Sequence, residues 1–448
     1  MQRWWRTLLT WPVLLTGVLA GVAITWLAWV APLSYDEAYN WVTYRPQGWR
    51  TIITTYPLPN NHVPFTLLHV LVPARLVARS PWAVRMFAIG ISVMLMMVMA
   101  AVAARRRGNP LLPWMLVLGS PLLTAYSFIA RSYTACALLM VLAALATGHL
   151  PERRRALSIM GIASLLAVAC WALPTNGFLL PGWVLVVWLL HRPRLAAIGA
   201  ATYAALTAVF FAPIAGEVLE QSKFDWARGS DTVVNLPGKV SYLPIVLFVV
   251  TATVVVLRTA DWRTAGRPHP RTFSALGRVA VVAGAMSISW FVVVPLTRLV
   301  GMQPMFYRNA IPTLWLVVLA VVVIFPHGRR GKALLGALAI PVVLGVGVIA
   351  SAVDDGRWDR VASVLSETTP VTIRDLKSGD ADLIECSSFD SPVCLIAIPM
   401  LAERSIIVSL ADYPYTTDVA CVKGSRFAPE PNQVWVYLGG QRLGKLCD

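Results

Sequence analysis

Charge is scarce in this chain. Asp, Glu, Lys and Arg together fill 13% of 448 positions, lysine occurs only six times, and hydrophobic residues reach 57%. Soluble domains carry roughly 25% charged residues, so the composition excludes a soluble fold and points to a chain that crosses a bilayer repeatedly. Several chemical signatures are missing too. There is no His-Glu-x-x-His, no Gly-x-x-x-x-Gly-Lys-Ser/Thr and no Cys-x-x-Cys, so zinc hydrolysis, nucleotide hydrolysis and thiol redox chemistry have no foothold. Internal repeats and low-complexity tracts are absent as well.

The charge that is present is mostly positive, with a formal net of +16. A basic balance can indicate nucleic-acid binding. Here the cations come in short packets between apolar runs, which is how cytoplasmic loops fix the orientation of a membrane protein. Arginine supplies 32 of the 38 cations, a bias that fits a GC-rich bacterial genome; the expected location is the bacterial plasma membrane.

Apolar runs at residues 8–30, 86–104, 111–130, 133–150, 156–173, 178–190, 195–214, 242–257, 279–297, 309–325 and 333–352 give eleven candidate spans. The first follows Arg3 and Arg6, lacks a small-residue cleavage pattern, and is expected to be retained with its start in the cytoplasm. Residues 62–77 are apolar but short and broken by Pro64 and Pro73. If that stretch stays at the outer interface, the packets at 105–107, 153–155, 192–194, 258–278 and 329–332 all fall on the cytoplasmic side. The expectation is therefore a polytopic α-helical membrane protein of about eleven spans, with residues 1–352 in or near the membrane and a first external loop at 31–85.

Residues 353–448 differ in kind. They hold 14 of the 22 acids and read as a small α/β domain outside the membrane, with a helix at 357–366 and strands at 382–385, 393–398, 405–410 and 433–438. Cys386, Cys394, Cys421 and Cys447 lie here, an even number that fits two disulfides in an oxidising compartment, with three pairings open. Four free buried thiols in a cytoplasmic domain is the competing reading. Cys136 and Cys170 fall in apolar runs and are read as packing residues.

Most acids of the membrane region are placed outside by this topology: Asp36, Glu37, Glu217, Glu220, Asp225 and Asp231. A transporter would need ionisable groups or broken helices near the midplane, and few charges fall there. The outer interface is the expected workplace. The most informative passage is Ser34-Tyr35-Asp36-Glu37-Ala38-Tyr39, followed by 56–65 with His62-Val63-Pro64. Adjacent side chains point apart on a helix or strand, so Asp36 and Glu37 cannot flank one glycosidic bond. A single general base is the better picture, and a solvated pair of helix-end acids is the alternative. His62 and His69 stand two helical turns apart, roughly 10 Å, too far to chelate one metal. Tyr39, Trp41, Tyr44, Trp49 and Tyr56 suit either sugar stacking or an interfacial aromatic belt.

Five elements occur in order: Asp36-Glu37, His62-Val63-Pro64, Arg85, Ala130-Arg131-Ser132-Tyr133, and Phe306-Tyr307-Arg308 leading into Ile311-Pro312. The ordered set, covering residues 1 to about 330, resembles the GT-C superfamily of glycosyltransferases. Within it, the set is most similar to the protein O-mannosyltransferase and aminoarabinose transferase group. The resemblance implies an inverting, mannosyltransferase-like enzyme of the cell envelope. Such an enzyme moves a sugar from a polyprenyl-phosphate donor to an acceptor hydroxyl on lipid, glycan or protein. By the same resemblance Asp36 is the general base and Glu37 orients it or the acceptor. Arg131, Arg308, His62 and Arg85 face the donor phosphate, and Tyr39, Tyr133 and Tyr307 face substrate. The pattern demands no cofactor; some relatives by fold use a divalent cation. A transporter or flippase for polyprenyl-linked sugars, and a non-catalytic membrane scaffold for the C-terminal domain, are the rival readings.

Overall fold

The computed structural model describes residues 7–30, 37, 40, 48–56, 62–73, 76, 81–151, 154–217, 274–299, 307–325, most of 335–350, and five C-terminal strands. Its frame is a helical bundle. The long elements are α1 (Trp11–Val30), α4 (Met86–Arg105), α7 (Tyr133–Gly148), α8 (Arg155–Ala172), α9 (Leu180–Leu190), α10 (Pro193–Phe211), α11 (Ala275–Leu299) and α12 (Ile311–Ile324). The shorter ones are α2 (Gly48–Thr54), α3 (Val63–His69), α5 (Leu112–Leu118) and α6 (Pro121–Tyr126). Among the described residues, five helices are long and apolar enough to cross a membrane: Trp11–Trp29, Ala83–Arg105, Arg155–Ala172, Pro193–Glu217 and Ala275–Val293. The protein is a polytopic helical membrane protein.

Burial sorts the helices into inner and outer. α12 is apolar all round and buries residues 311–320 without interruption, as expected of a central helix. It packs on α11, α7 and α4. α7 is likewise inner, packing on α8, α11, α12 and α4, whereas α1 leaves Val18, Val22 and Trp26 more than half exposed on a lipid-compatible face. Without a hydrophobic drive between spans, close packing rests on small residues. At Gly182 of α9 a Cβ would fall on the Ala285 carbonyl of α11, and at Gly148 it would lie 2.8 Å from the Val279 amide nitrogen. Backbone cannot swing aside as a long side chain can. Gly182→Ala is therefore expected to destabilise the α9/α11 contact by about 1–3 kcal/mol, read as a lower unfolding midpoint in detergent.

Residues 111–130, expected as one span, form two short helices instead. Pro121 has no N–H to continue α5, and Ser120 caps the new start by accepting a bond from the Leu123 amide. Hydropathy gave no warning, because Ser120 and Pro121 sit inside a charge-free run, 111–130, that is apolar enough to look continuous. α3 spans seven residues, roughly 10 Å, too short to cross. The run 242–257 lies outside the described residues.

Five strands follow: β1 (Leu383–Cys386), β2 (Ile407–Leu410), β3 (Cys421–Lys423), β4 (Trp435–Leu438) and β5 (Gln441–Cys447). They form one mixed sheet in the order β1-β2-β4-β5-β3. β1, β2 and β4 pair in parallel, β4 and β5 antiparallel, and β3 runs parallel to β5. Leu438 pairs Gln441, so β4 and β5 are linked by the two residues Gly439-Gly440, the length of a tight hairpin. β1, β2 and β4 fall on the strands expected at 382–385, 405–410 and 433–438. β3 and β5 were not anticipated, and the expected helix at 357–366 and strand at 393–398 lie outside the described residues.

Candidate active site

The ends of the bundle are chemically unlike. At one end Arg278 Nε donates to the Gly148 carbonyl at 3.0 Å, Arg106 Nε to the Val323 carbonyl at 2.9 Å, and His191 Nε2 lies 3.3 Å from the Thr147 carbonyl. These cations and imidazoles satisfy carbonyls left over at the C-terminal ends of α7 and α12, where the helix dipole favours positive charge. The opposite end gathers the C-termini of α1 and α8 with the N-termini of α4 and α7, and the sequence motifs meet there.

Glu37 is helical, wholly buried, and forked by Arg85, with Nε to Oε1 at 2.8 Å and Nη2 to Oε2 at 2.7 Å. Oε1 also accepts the Ala130 amide N–H at 2.6 Å. Arg85 Nη1 donates to the Ala28 carbonyl at 2.9 Å, and its guanidinium lies 5.2 Å from the Phe128 ring centre. A bidentate pair with further hydrogen bonds on both partners is the geometry that offsets desolvation of two charges. The segment that carries Glu37 is thereby tied to one end of α1 and α4 and to the Ala130-Arg131 step.

One residue on, Arg131 Nη2 sits 2.6 Å from His62 Nε2. A guanidinium only donates, so Nε2 must carry a lone pair and the ring proton must be on Nδ1. Nδ1 is 2.8 Å from the Ala172 carbonyl and 2.7 Å from Ser132 Oγ, which in turn donates to the same carbonyl at 3.1 Å. His62 is thus a neutral, fixed acceptor. It aims the Arg131 guanidinium without cancelling its charge. Tyr133 lines the same place, its ring 5.4 Å from both the Arg131 guanidinium and the His62 ring and packed edge-on against Tyr126.

Tyr56 completes the described part. It is 5% exposed, and its backbone N–H donates to the Glu217 carboxylate at the end of the helical stretch that follows α10. Burial pushes its phenol above the usual range, against the pull of the Arg131 guanidinium, so the hydroxyl stays neutral.

The structure therefore brings Glu37, Arg85, His62, Arg131 and Tyr133 to one end of the bundle. Arg85 has Glu37 as its neighbour and Arg131 has His62, so among the described candidate phosphate ligands Arg85 is held by a carboxylate while Arg131 and His62 lie together. Tyr307 and Arg308 lie in a short helical turn, Tyr307–Ala310, just before α12, where only their backbone is described. Asp36 and Tyr39 lie outside the described residues. Ser132, Tyr126, Glu217 and the Ala172 carbonyl were not singled out for roles in the sequence, and Tyr56 was read only as a sugar-stacking or belt aromatic. Ser132 sat inside a quoted motif, whereas a backbone carbonyl leaves no sequence signal at all. Among the described residues no group of three His, Cys, Asp or Glu stands close enough to hold a metal ion.

No family model matches the chain, and no curated protein does. Among solved structures the chain is similar to ArnT from Cupriavidus metallidurans, crystallised bound to undecaprenyl phosphate, at 18% identity and a TM-score of 0.48. That likeness covers 86% of this chain and 70% of the other.

Proposed function

We propose that the protein is an inverting glycosyltransferase of GT-C type that takes a sugar from a polyprenyl-phosphate carrier and passes it to an acceptor hydroxyl. The observation that supports this reading is the meeting, at the Ala130-Arg131 step, of two motifs far apart in sequence. Ala130 holds the Glu37 carboxylate and Arg131 rests on neutral His62. A cation steadied by a neutral base, in a buried setting, suits a leaving phosphate that gains negative charge as its bond to the sugar breaks. In this reading the arginine-rich end faces the cytoplasm, as the positive-inside rule favours, and the site and the C-terminal part face the extracytoplasmic side.

In this reading Asp36, tethered one residue from the anchored Glu37, takes the proton of the acceptor hydroxyl. The hydroxyl oxygen attacks the anomeric carbon, the carbon to phosphate-oxygen bond breaks with its electron pair, and polyprenyl phosphate leaves from the opposite face. Arg131 and Arg308 stabilise that phosphate. Arg85 acts through Glu37, holding the loop that carries Asp36. Tyr39, Tyr133 and Tyr307 line the sugar and acceptor. The sugar and acceptor are open in this proposal.

Arg131 gives the direct test. Charge-assisted hydrogen bonds contribute about 1.5–3 kcal/mol, so Arg131→Gln should weaken binding of radiolabelled undecaprenyl phosphate to the purified protein by roughly 10- to 100-fold. Unchanged carrier affinity in a folded variant would return Arg131 to a purely structural role.

A further inference from the structure

Asn40 lies three residues after Glu37, and both are helical. Positions three apart share a helix face, so Asn40 is placed on the side of the loop that carries the anchored carboxylate. It is wholly buried, and neither its Oδ1 nor its Nδ2 has a hydrogen-bond partner among the described residues. Leaving both ends of a buried carboxamide unsatisfied is costly, and native folds seldom carry that cost without a use for it.

The chemistry of the amide narrows what it can serve. Nδ2 offers two donors, which a phosphate or a hydroxyl would accept. Oδ1 needs a donor, and neither an ionised phosphodiester nor a prenyl chain has one. A hydroxyl satisfies both ends, and a pair of neighbouring hydroxyls satisfies them together. In the transferase reading phosphate falls to Arg131, a cation on the same end of the bundle, which leaves a neutral amide a different task.

We infer that Asn40 is a specificity-determining residue that reads hydroxyl groups of the transferred sugar. This inference rests on the transferase reading above and deepens it. Asn40 distinguishes the sugar-loaded carrier from the bare one, the difference a transferase needs if the spent carrier is to leave. A site built to hydrogen-bond a hydroxyl discriminates strongly, because its own polar groups are stranded when the hydroxyl is missing.

The test uses the full-length protein in lipid nanodiscs with four probes: undecaprenyl phosphate alone, and the same lipid carrying mannose, glucose or arabinose. For a sugar-loaded carrier that the wild type turns over, Asn40→Leu should raise KM by roughly 10- to 100-fold, with a smaller change in kcat. Its affinity for the bare carrier should match the wild type. Its unfolding midpoint should not fall, since the substitution removes a stranded amide. Asn40→Ala should raise KM in parallel and serves if leucine does not fit. An unchanged KM in both variants, with the wild type active, overturns the inference alone and leaves the amide to an internal water. Equal weakening for bare and loaded carrier overturns it in favour of a general packing role. Turnover of none of the three sugar-loaded carriers by the wild type removes the transferase reading and this inference with it.

Discussion

Asp36→Asn should lower sugar transfer by roughly 10²- to 10⁴-fold while the protein still binds undecaprenyl phosphate. A hydroxyl is a poor nucleophile at neutral pH, and the amide of asparagine cannot take its proton as the new bond forms. The substitution keeps the shape of the side chain and leaves Glu37, Arg85 and Ala130 with their own bonds, so the loop retains its anchor. Transfer and binding should therefore separate. Full activity in Asp36→Asn would remove the base from this position, and loss of carrier binding along with activity would make Asp36 a positioning residue. The comparison with Arg131→Gln sharpens the point, because that variant should fail first in binding.

Much of the membrane frame could be read from the sequence, for a simple reason. Apolar length and the placement of arginine packets are properties of single segments, and α1, α4, α8, α10 and α11 form within a few residues of the apolar runs that announced them. What failed was local punctuation. Ser120-Pro121 splits an apolar run that hydropathy treats as one. Close approaches such as Gly182 to Ala285 depend on which helices meet, a relation no single segment encodes. In the C-terminal part, β3 has three residues and β5 interrupts its alternation with Gly444 and Lys445, so neither shows a period of two.

The site was legible in its parts and not in its wiring. The motifs named Glu37, His62, Arg85 and Arg131, but the acid pair looked equally like solvated residues at a helix end, and Glu37 is instead fully buried. Its partner Arg85 lies 48 positions later, and His62 is oriented by a carbonyl 110 positions later. Sequence suggested one task, to meet phosphate, for Arg85, His62, Arg131 and Arg308, and a separate orienting task for Glu37; of these, the Arg308 side chain lies outside the described residues. The geometry gives Arg85 to Glu37 as a closed pair and sets Arg131 on the neutral ring of His62.

That division has an energetic consequence that can be measured. Breaking a buried ion pair by removing one charge costs about 3–5 kcal/mol, because the remaining charge has lost its solvent and its partner. Glu37→Gln keeps an oxygen to accept the Ala130 amide but leaves Arg85 charged inside the bundle, so its unfolding midpoint in detergent should fall markedly. Adding Arg85→Met removes the stranded charge, and the double variant should recover most of the loss, as replacement of a whole buried pair commonly does. Additive losses in the two single variants and the double would show that the pair contributes no coupling. Activity decides what the pair is for. If it serves only to hold the loop, the folded double variant keeps transfer within a few-fold of the wild type. If the fixed carboxylate sets the place of Asp36, the double variant is as stable as the wild type and yet transfers poorly. The latter is the outcome expected, since Met and Gln restore packing but cannot restore a two-pronged charge-assisted contact that fixes both position and angle.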